Sequence, residues 1–333
     1  MPAVTSGKVL VSGANGFVAV WVVQTLLEHG YSVRGAVRSA DKGKHLTKRF
    51  ASYGDKFEIC VVPDITAEGA FDEAVKGVDA IEHTAAPFHF QADDPAEVLD
   101  PSIKGTVSIL ESARKYGTNV KRIVVTSSAA AMMNFGPNPQ TLTEKDWNDQ
   151  AVKELEELGR QASPRAKYMA AKTLGERAAW DFVKKHQSEI KWDVTTLCPP
   201  WVLGPVIHEI SAPDALNTSC KSMYDIYTKP DAKANNGWWV DVRDLALAHV
   251  RSLQKEEAGG ERIFIAEGPF AWQDWLDAVP SPKYQKGTPG SGKGLVQLLS
   301  YENQKSIRIL DLKYRPLPET AAAVVKDYEE RGW

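Results

Sequence analysis

The chain is poor in cysteine. Cys60, Cys198 and Cys220 cannot all pair and show no metal-ligand spacing. A disulfide-stapled or zinc-ribbon fold is excluded, and reduced thiols in a cytoplasmic protein are expected. The sequon Asn217-Thr218-Ser219 then has no glycan to carry. There is no excess of either charge: 40 Lys and Arg stand against 43 Asp and Glu, too even for a nucleic-acid or anionic-membrane surface. There is no long apolar run; Phe17 to Val23 falls far short of the ~20 residues of a membrane span. The first eight residues lack a signal-peptide core. The histidines form no His-x-x-x-His pair, so no metal site is expected. What remains is an ordinary globular composition, 43% hydrophobic and 25% charged, in 333 residues. That length suits about two domains, or one large α/β unit with an appendage.

The apolar pattern alternates between strand and helix. Short runs at Lys8–Ser12, Tyr31–Val37, Phe57–Val62, Val78–Thr84, Arg122–Thr126 and Trp192–Leu197 read as buried strands. Helical stretches are predicted at Gly16–His29, Lys42–Tyr53, Ala70–Lys76, Glu97–Tyr116 and Ser163–His186, the last with a Ser163 cap and Pro164 at its first position. Strands alternating with helices predict βαβ crossovers and an α/β fold: a Rossmann-type, doubly wound parallel sheet. Residues 201–236 read as irregular; 237–242 and 262–266 read as strands, 242–254 and 318–330 as helices. The expected division is a dinucleotide-binding domain over 1–198, with 237–258 returning to it, and a smaller C-terminal substrate lobe from 199–236 and 259–333.

The turn Gly13-Ala14-Asn15-Gly16-Phe17-Val18-Ala19 lies between the first strand and the first helix. Gly13 permits a sharp exit, Gly16 lets backbone N–H groups approach a pyrophosphate, and Ala19 permits close helix–strand packing. NAD sites usually carry Asp or Glu at the end of the second strand. Here the chain reads Val37-Arg38-Ser39-Ala40-Asp41-Lys42. Arg38 and Lys42 in place of a carboxylate predict a 2′-phosphate, hence NADPH. Asp64 and Ile65, after the third strand, are candidates for the adenine edge.

Tyr168 and Lys172 stand at i and i+4 on one helical face. A tyrosine hydroxyl, with a pKa of about 10 in water, becomes a usable acid–base group when an ammonium stabilises its phenolate. Thr126-Ser127-Ser128 ends the fifth strand at the sheet edge that binds ligands. Its hydroxyls are candidates to hydrogen-bond a substrate carbonyl.

With these features together, the chain is identified as a member of the extended short-chain dehydrogenases/reductases. It resembles the fungal NADPH-dependent carbonyl reductases of methylglyoxal reductase and aldehyde reductase II type. The resemblance runs from residue 8 to about 320 through Val11-Ser12-Gly13-Ala14-Asn15-Gly16-Phe17, Ala36-Val37-Arg38-Ser39, Val62-Pro63-Asp64-Ile65 and His83-Thr84-Ala85-Ala86-Pro87-Phe88. It continues through Val125-Thr126-Ser127-Ser128, Leu216-Asn217-Thr218-Ser219-Cys220 and Asp241-Val242-Arg243-Asp244. It implies that Ser128 polarises the carbonyl, that Tyr168 donates the proton, and that Lys172 lowers the tyrosine pKa and binds the nicotinamide ribose. It also implies cofactor contacts from Gly13 to Val18, Arg38, Lys42, Asp64, Ile65, Pro200 and Ser219. Phe88, Met133 and Trp201 are candidates for the pocket wall. The chain departs from the family pattern at Ala129–Asn134, where an aromatic is usual, and at Cys198-Pro199, where Asn-Pro is usual.

Reduction of a small aldehyde or ketone is therefore expected. A nucleotide-sugar epimerase or dehydratase and a non-catalytic dinucleotide sensor stay open. Gly287–Gly294 nearly spells a phosphate-binding loop, but it lacks the final Ser or Thr and follows no strand.

Overall fold

The computed structural model describes residues 3–86, 92–136, 138–229 and 236–333. Strand β1 (Lys8–Ser12) is the buried Val9-Leu10-Val11 run, and helix α1 (Phe17–Glu28) follows the glycine turn. Next come β2 (Ser32–Val37), α2 (Ala40–Arg49), β3 (Phe57–Val61), β4 (Ala80–His83), α3 (Ala96–Tyr116) and β5 (Arg122–Thr126). The short β6 (Gln140–Leu142) and α4 (Asp149–Leu158) precede α5 (Pro164–Lys185), β7 (Asp193–Cys198), β8 (Trp201–Leu203) and α6 (Thr218–Thr228). Then follow β9 (Asn236–Asp241), α7 (Val242–Gln254), β10 (Arg262–Phe264), β11 (Gly268–Ala271) and α8 (Trp272–Ala278). The chain closes with β12 (Leu299–Tyr301), α9 (Gln304–Leu310) and α10 (Leu317–Glu330).

Seven parallel strands form the central sheet in the order β3-β2-β1-β4-β5-β7-β10. It is the doubly wound arrangement that the alternation predicts. The order reverses between β1 and β4, so the crevice at their C-terminal ends is the switch point where such sheets bind ligands. Helices α1 and α7 cover one face and α3 and α5 the other. Gly175 sets the α3–α5 approach: a Cβ there would lie 2.9 Å from the Ser102 carbonyl oxygen. Arg122 is fully buried yet satisfied. It grips Asp193 with two nitrogens and donates to the carbonyls of Ser252 and Lys255, tying β5, β7 and the end of α7 together. A charge at that depth is tolerable only when so paired.

The second core is aromatic. Strands β8, β9 and β11 form a small sheet, covered by α6, α8 and α10 around Tyr227, Trp239, Trp275 and Tyr328. Trp239 and Trp275 meet edge to face at 4.7 Å. The β6–β12 pair joins the loop after β5 to the C-terminal segment.

Several segments differ from expectation. Residues 70–76 form turns in place of the expected helix. Helix α2 stops at Arg49 and a 3₁₀ segment follows. The described part of the stretch expected to be irregular, residues 201–229, contains β8 and α6, whose buried Met223, Ile226 and Tyr227 pack on the aromatic core. The division also shifts. Strand β9 belongs to the small sheet, although α7 packs on α1, and β10 adds to the central sheet beside β7. Among the described residues, no helix is long and apolar enough to cross a membrane.

Ser163 caps α5 by accepting a hydrogen bond from the Ala166 amide at 3.1 Å, with Pro164 next. Ser163→Ala is expected to cost about 1 kcal/mol and to lower Tm by roughly 1–2 °C; a thermal melt checks it.

Candidate active site

The glycine turn is built for an anion. Gly13 adopts φ +63°, and a Cβ there would press to 3.1 Å on Ala85. Gly16 caps α1 without any side-chain hydrogen bond, and no acidic residue stands in the first turn. The N–H groups at Phe17 and Val18 therefore open a helix N-terminus to the switch-point crevice. Ala14 is buried and its amide donates to Ala36, fixing the turn to β2. Asn15 is half-buried beside it.

At the end of β2, Arg38 and Lys42 are exposed, and neither makes a hydrogen bond among the described residues. Arg34, one turn of the strand earlier, is occupied by Glu58 and the carbonyls of Ala74 and Lys76. Asp41 pairs with Lys44. Asp64 accepts from the amide and hydroxyl of Thr66, and these bonds, with the Arg38 charge behind them, hold its carboxyl below the usual range. Asp64 thus shares a rim with Arg38, while Ile65 packs on the α3 side. The uncapped helix and the two exposed cations, neither held by a hydrogen bond among the described residues, fit a dinucleotide with a 2′-phosphate.

The three hydroxyls after β5 point three ways. Thr126 pairs with His249 Nε2 at 3.1 Å, and His249 Nδ1 meets Glu82 at 2.6 Å, all within the sheet layer. Ser127 donates to Glu176 at 2.6 Å. Only Ser128 hydrogen-bonds Tyr168. It also accepts from the Ala130 amide and approaches the Pro199 carbonyl, which fixes its position. The resemblance singled out Ser128 among the three, and in the structure Ser128 is the one that meets Tyr168.

Tyr168 is 9% exposed. Burial pushes its phenol up to about 12, and the Ser128 hydroxyl is the group that pulls it down. The expected lowering by Lys172 is not among these influences. Burial presses Lys172 down to about 8, opposed by Glu176 and then Cys198. His83 on β4 is held near 3 by burial and by the Lys172 charge. A cavity of about 20 Å³, room for one water, is lined by Lys172, Glu176, His83, Ser102, Thr106 and Ser127.

The remaining expected residues lie further out. Pro200 follows β7 and is half-buried. Ser219 is buried in the first turn of α6, next to Asn217, whose Oδ1 is buried without a partner. Met133 packs between the α5 base and the Phe264–Tyr301 cluster. Trp201 meets Trp272 edge to face at 5.8 Å and joins the aromatic core. Phe88 lies outside the described residues. The stretch 287–294 is fastened by α8: Gln273 accepts from the Thr288 amide and Asp277 from that of Gly290. Cys198 is fully buried and its thiol is pushed up, by burial first, so it is no nucleophile. Glu176 was overlooked in the sequence, although it extends the Tyr168, Lys172 spacing by another four residues.

Fold and site define a dinucleotide-dependent oxidoreductase of the extended short-chain dehydrogenase/reductase class. The chain belongs to the NAD dependent epimerase/dehydratase family, whose profile matches residues 9–266. It is 36% identical to the putative NADPH-dependent methylglyoxal reductase GRP2 of Candida albicans, over 93% of this chain and 95% of that protein. Identity is also 36% to the NADPH-dependent methylglyoxal reductase GRE2 of Saccharomyces cerevisiae, over 94% and 95%. The structure of yeast methylglyoxal/isovaleraldehyde reductase Gre2 complexed with NADPH superposes with a TM-score of 0.87 at 34% identity, covering 98% of this chain and 99% of that one.

Proposed function

We propose that the protein reduces small aldehydes and ketones to alcohols with NADPH. The observation that carries this reading is the buried Tyr168 hydroxyl, hydrogen-bonded to Ser128 one helical turn from Lys172, at the switch-point edge. The names of the relatives, methylglyoxal and isovaleraldehyde reductases that use NADPH, point to the same chemistry. Bound NADPH supplies the hydride. The open N-terminus of α1 holds the pyrophosphate, and Arg38 and Lys42 take the 2′-phosphate. Ser128 donates to the substrate oxygen. Tyr168, protonated because burial disfavours its phenolate, passes its proton to the alkoxide as charge develops there. Lys172 sits one turn behind to replace lost charge balance and to bind ribose hydroxyls. Met133 and Trp201 wall the substrate space, and Met adapts its shape to different substrates. The three free thiols suit a reducing compartment such as the cytoplasm.

The test is loss of absorbance at the reduced-nicotinamide band. NADPH and NADH are run in parallel against methylglyoxal, a branched aldehyde, a β-keto ester and a bulky aryl ketone. Turnover with NADPH and much slower turnover with NADH are expected. Tight NADPH binding with no turnover of any carbonyl would overturn the reading.

A further inference from the structure

Helix α5 carries a third polar residue in line with Tyr168 and Lys172. Glu176 lies at the next i+4 step, so the three share one face. Its side chain is fully buried. It accepts from Ser127 at 2.6 Å, Thr196 at 2.7 Å and Arg262 at 2.7 and 3.0 Å, with the Trp180 indole at 3.3 Å. Arg262 reaches it from β10 and stacks over Trp147 at 3.8 Å. The same guanidinium donates to the carbonyl of Ala131, in the turn begun by Ser128. Glu176 and Lys172 both face the cavity of about 20 Å³.

We propose that Glu176 is a positioning residue for the carbonyl reduction: from across their shared cavity it keeps Lys172 cationic. The inference rests on the assignment of Tyr168 and Lys172 as the working pair. The physical need is clear. An ammonium drawn largely out of water without a counter-charge gives up its proton more readily. The titratable groups facing Lys172 are Glu176 on its own helix, His83 on β4 and Cys198 on β7. His83 is neutral and the Cys198 thiol is pushed up, which leaves Glu176 to carry the compensating charge. Arg262 approaches Glu176 from β10 and is not among the charges felt at Lys172. A purely structural ion pair would need neither the shared cavity nor the hydrogen bond to the serine preceding Ser128.

The experiment is the pH profile of kcat for NADPH-driven carbonyl reduction, measured from pH 6 to 10 on the wild type, Glu176→Gln, Glu176→Asp and Lys172→Met. The wild type is expected to lose activity on an alkaline limb as Lys172 deprotonates. In Glu176→Gln that limb moves to lower pH by roughly one unit, the size of shift a nearby opposite charge produces. Glu176→Asp, with its carboxylate one methylene further away, falls between the two. Glu176→Gln added to Lys172→Met leaves the profile of the single Lys172 variant unchanged. A folded Glu176→Gln enzyme with the wild-type limb and only a uniformly lower kcat would overturn the proposal. If the Gln variant does not fold, a wild-type limb in Glu176→Asp does the same. Full activity of Lys172→Met would instead remove the assignment of the catalytic pair.

Discussion

Tyr168→Phe is expected to lower kcat by about 10²- to 10⁴-fold, the usual contribution of a positioned proton donor, while NADPH affinity stays nearly unchanged. The change is confined to one oxygen. The ring packs against Ala130, Ala151 and Met169 at the base of α5, and phenylalanine fills the same volume. Ser128 keeps its bond from the Ala130 amide, so the loop does not collapse. Little fold stability is lost, because the substitution removes one hydroxyl and keeps the ring. The reaction loses the proton donor that Ser128 holds in place. Steady-state kinetics with a cofactor titration by fluorescence separates kcat from binding. A variant retaining more than about a tenth of wild-type kcat would assign the proton to another group.

Arg38→Ala is expected to raise the KM for NADPH by about 10- to 100-fold and that for NADH by less than about twofold. A hydrogen bond to a charged group is worth about 1.5–3 kcal/mol, and each 1.4 kcal/mol or so is tenfold. The structure gives the reason for the asymmetry. Arg38 is exposed and makes no hydrogen bond among the described residues, so its loss leaves nothing unsatisfied in the protein. Arg34 makes the contrast. It is held by Glu58 and two carbonyls, and its loss would act on stability in place of cofactor choice. Equal increases in KM for both cofactors would remove Arg38 from the 2′-phosphate.

Much of this was legible in the sequence, for identifiable reasons. The strands β1, β2, β5 and β7 are short apolar runs, buried on both faces of a parallel sheet, and such runs are visible without neighbours. The glycine turn was visible because a φ of +63° with Ala85 close by favours glycine at Gly13. The Ser163-Pro164 start of α5 was visible because capping is local chemistry. Helix α6 was not, since what it buries against, Trp239 and Trp275, comes from distant segments. Strand β10 was placed in the wrong lobe because three residues carry no information about which sheet they will join.

What the sequence by itself determined was the local chemistry: a phosphate-binding turn, a cationic end to β2 and a tyrosine and lysine one helical turn apart. Each follows from residues adjacent in the chain or on one helix face. Tertiary structure alone decided the direction of each hydroxyl in Thr126-Ser127-Ser128, since their partners His249, Glu176 and Tyr168 come from α7 and α5. It also decided the depth of Lys172, and with it the need for a buried counter-charge. Burial, charge compensation and hydrogen-bond partnership are properties of the space between elements, and the order of residues along the chain does not contain them until the chain has folded.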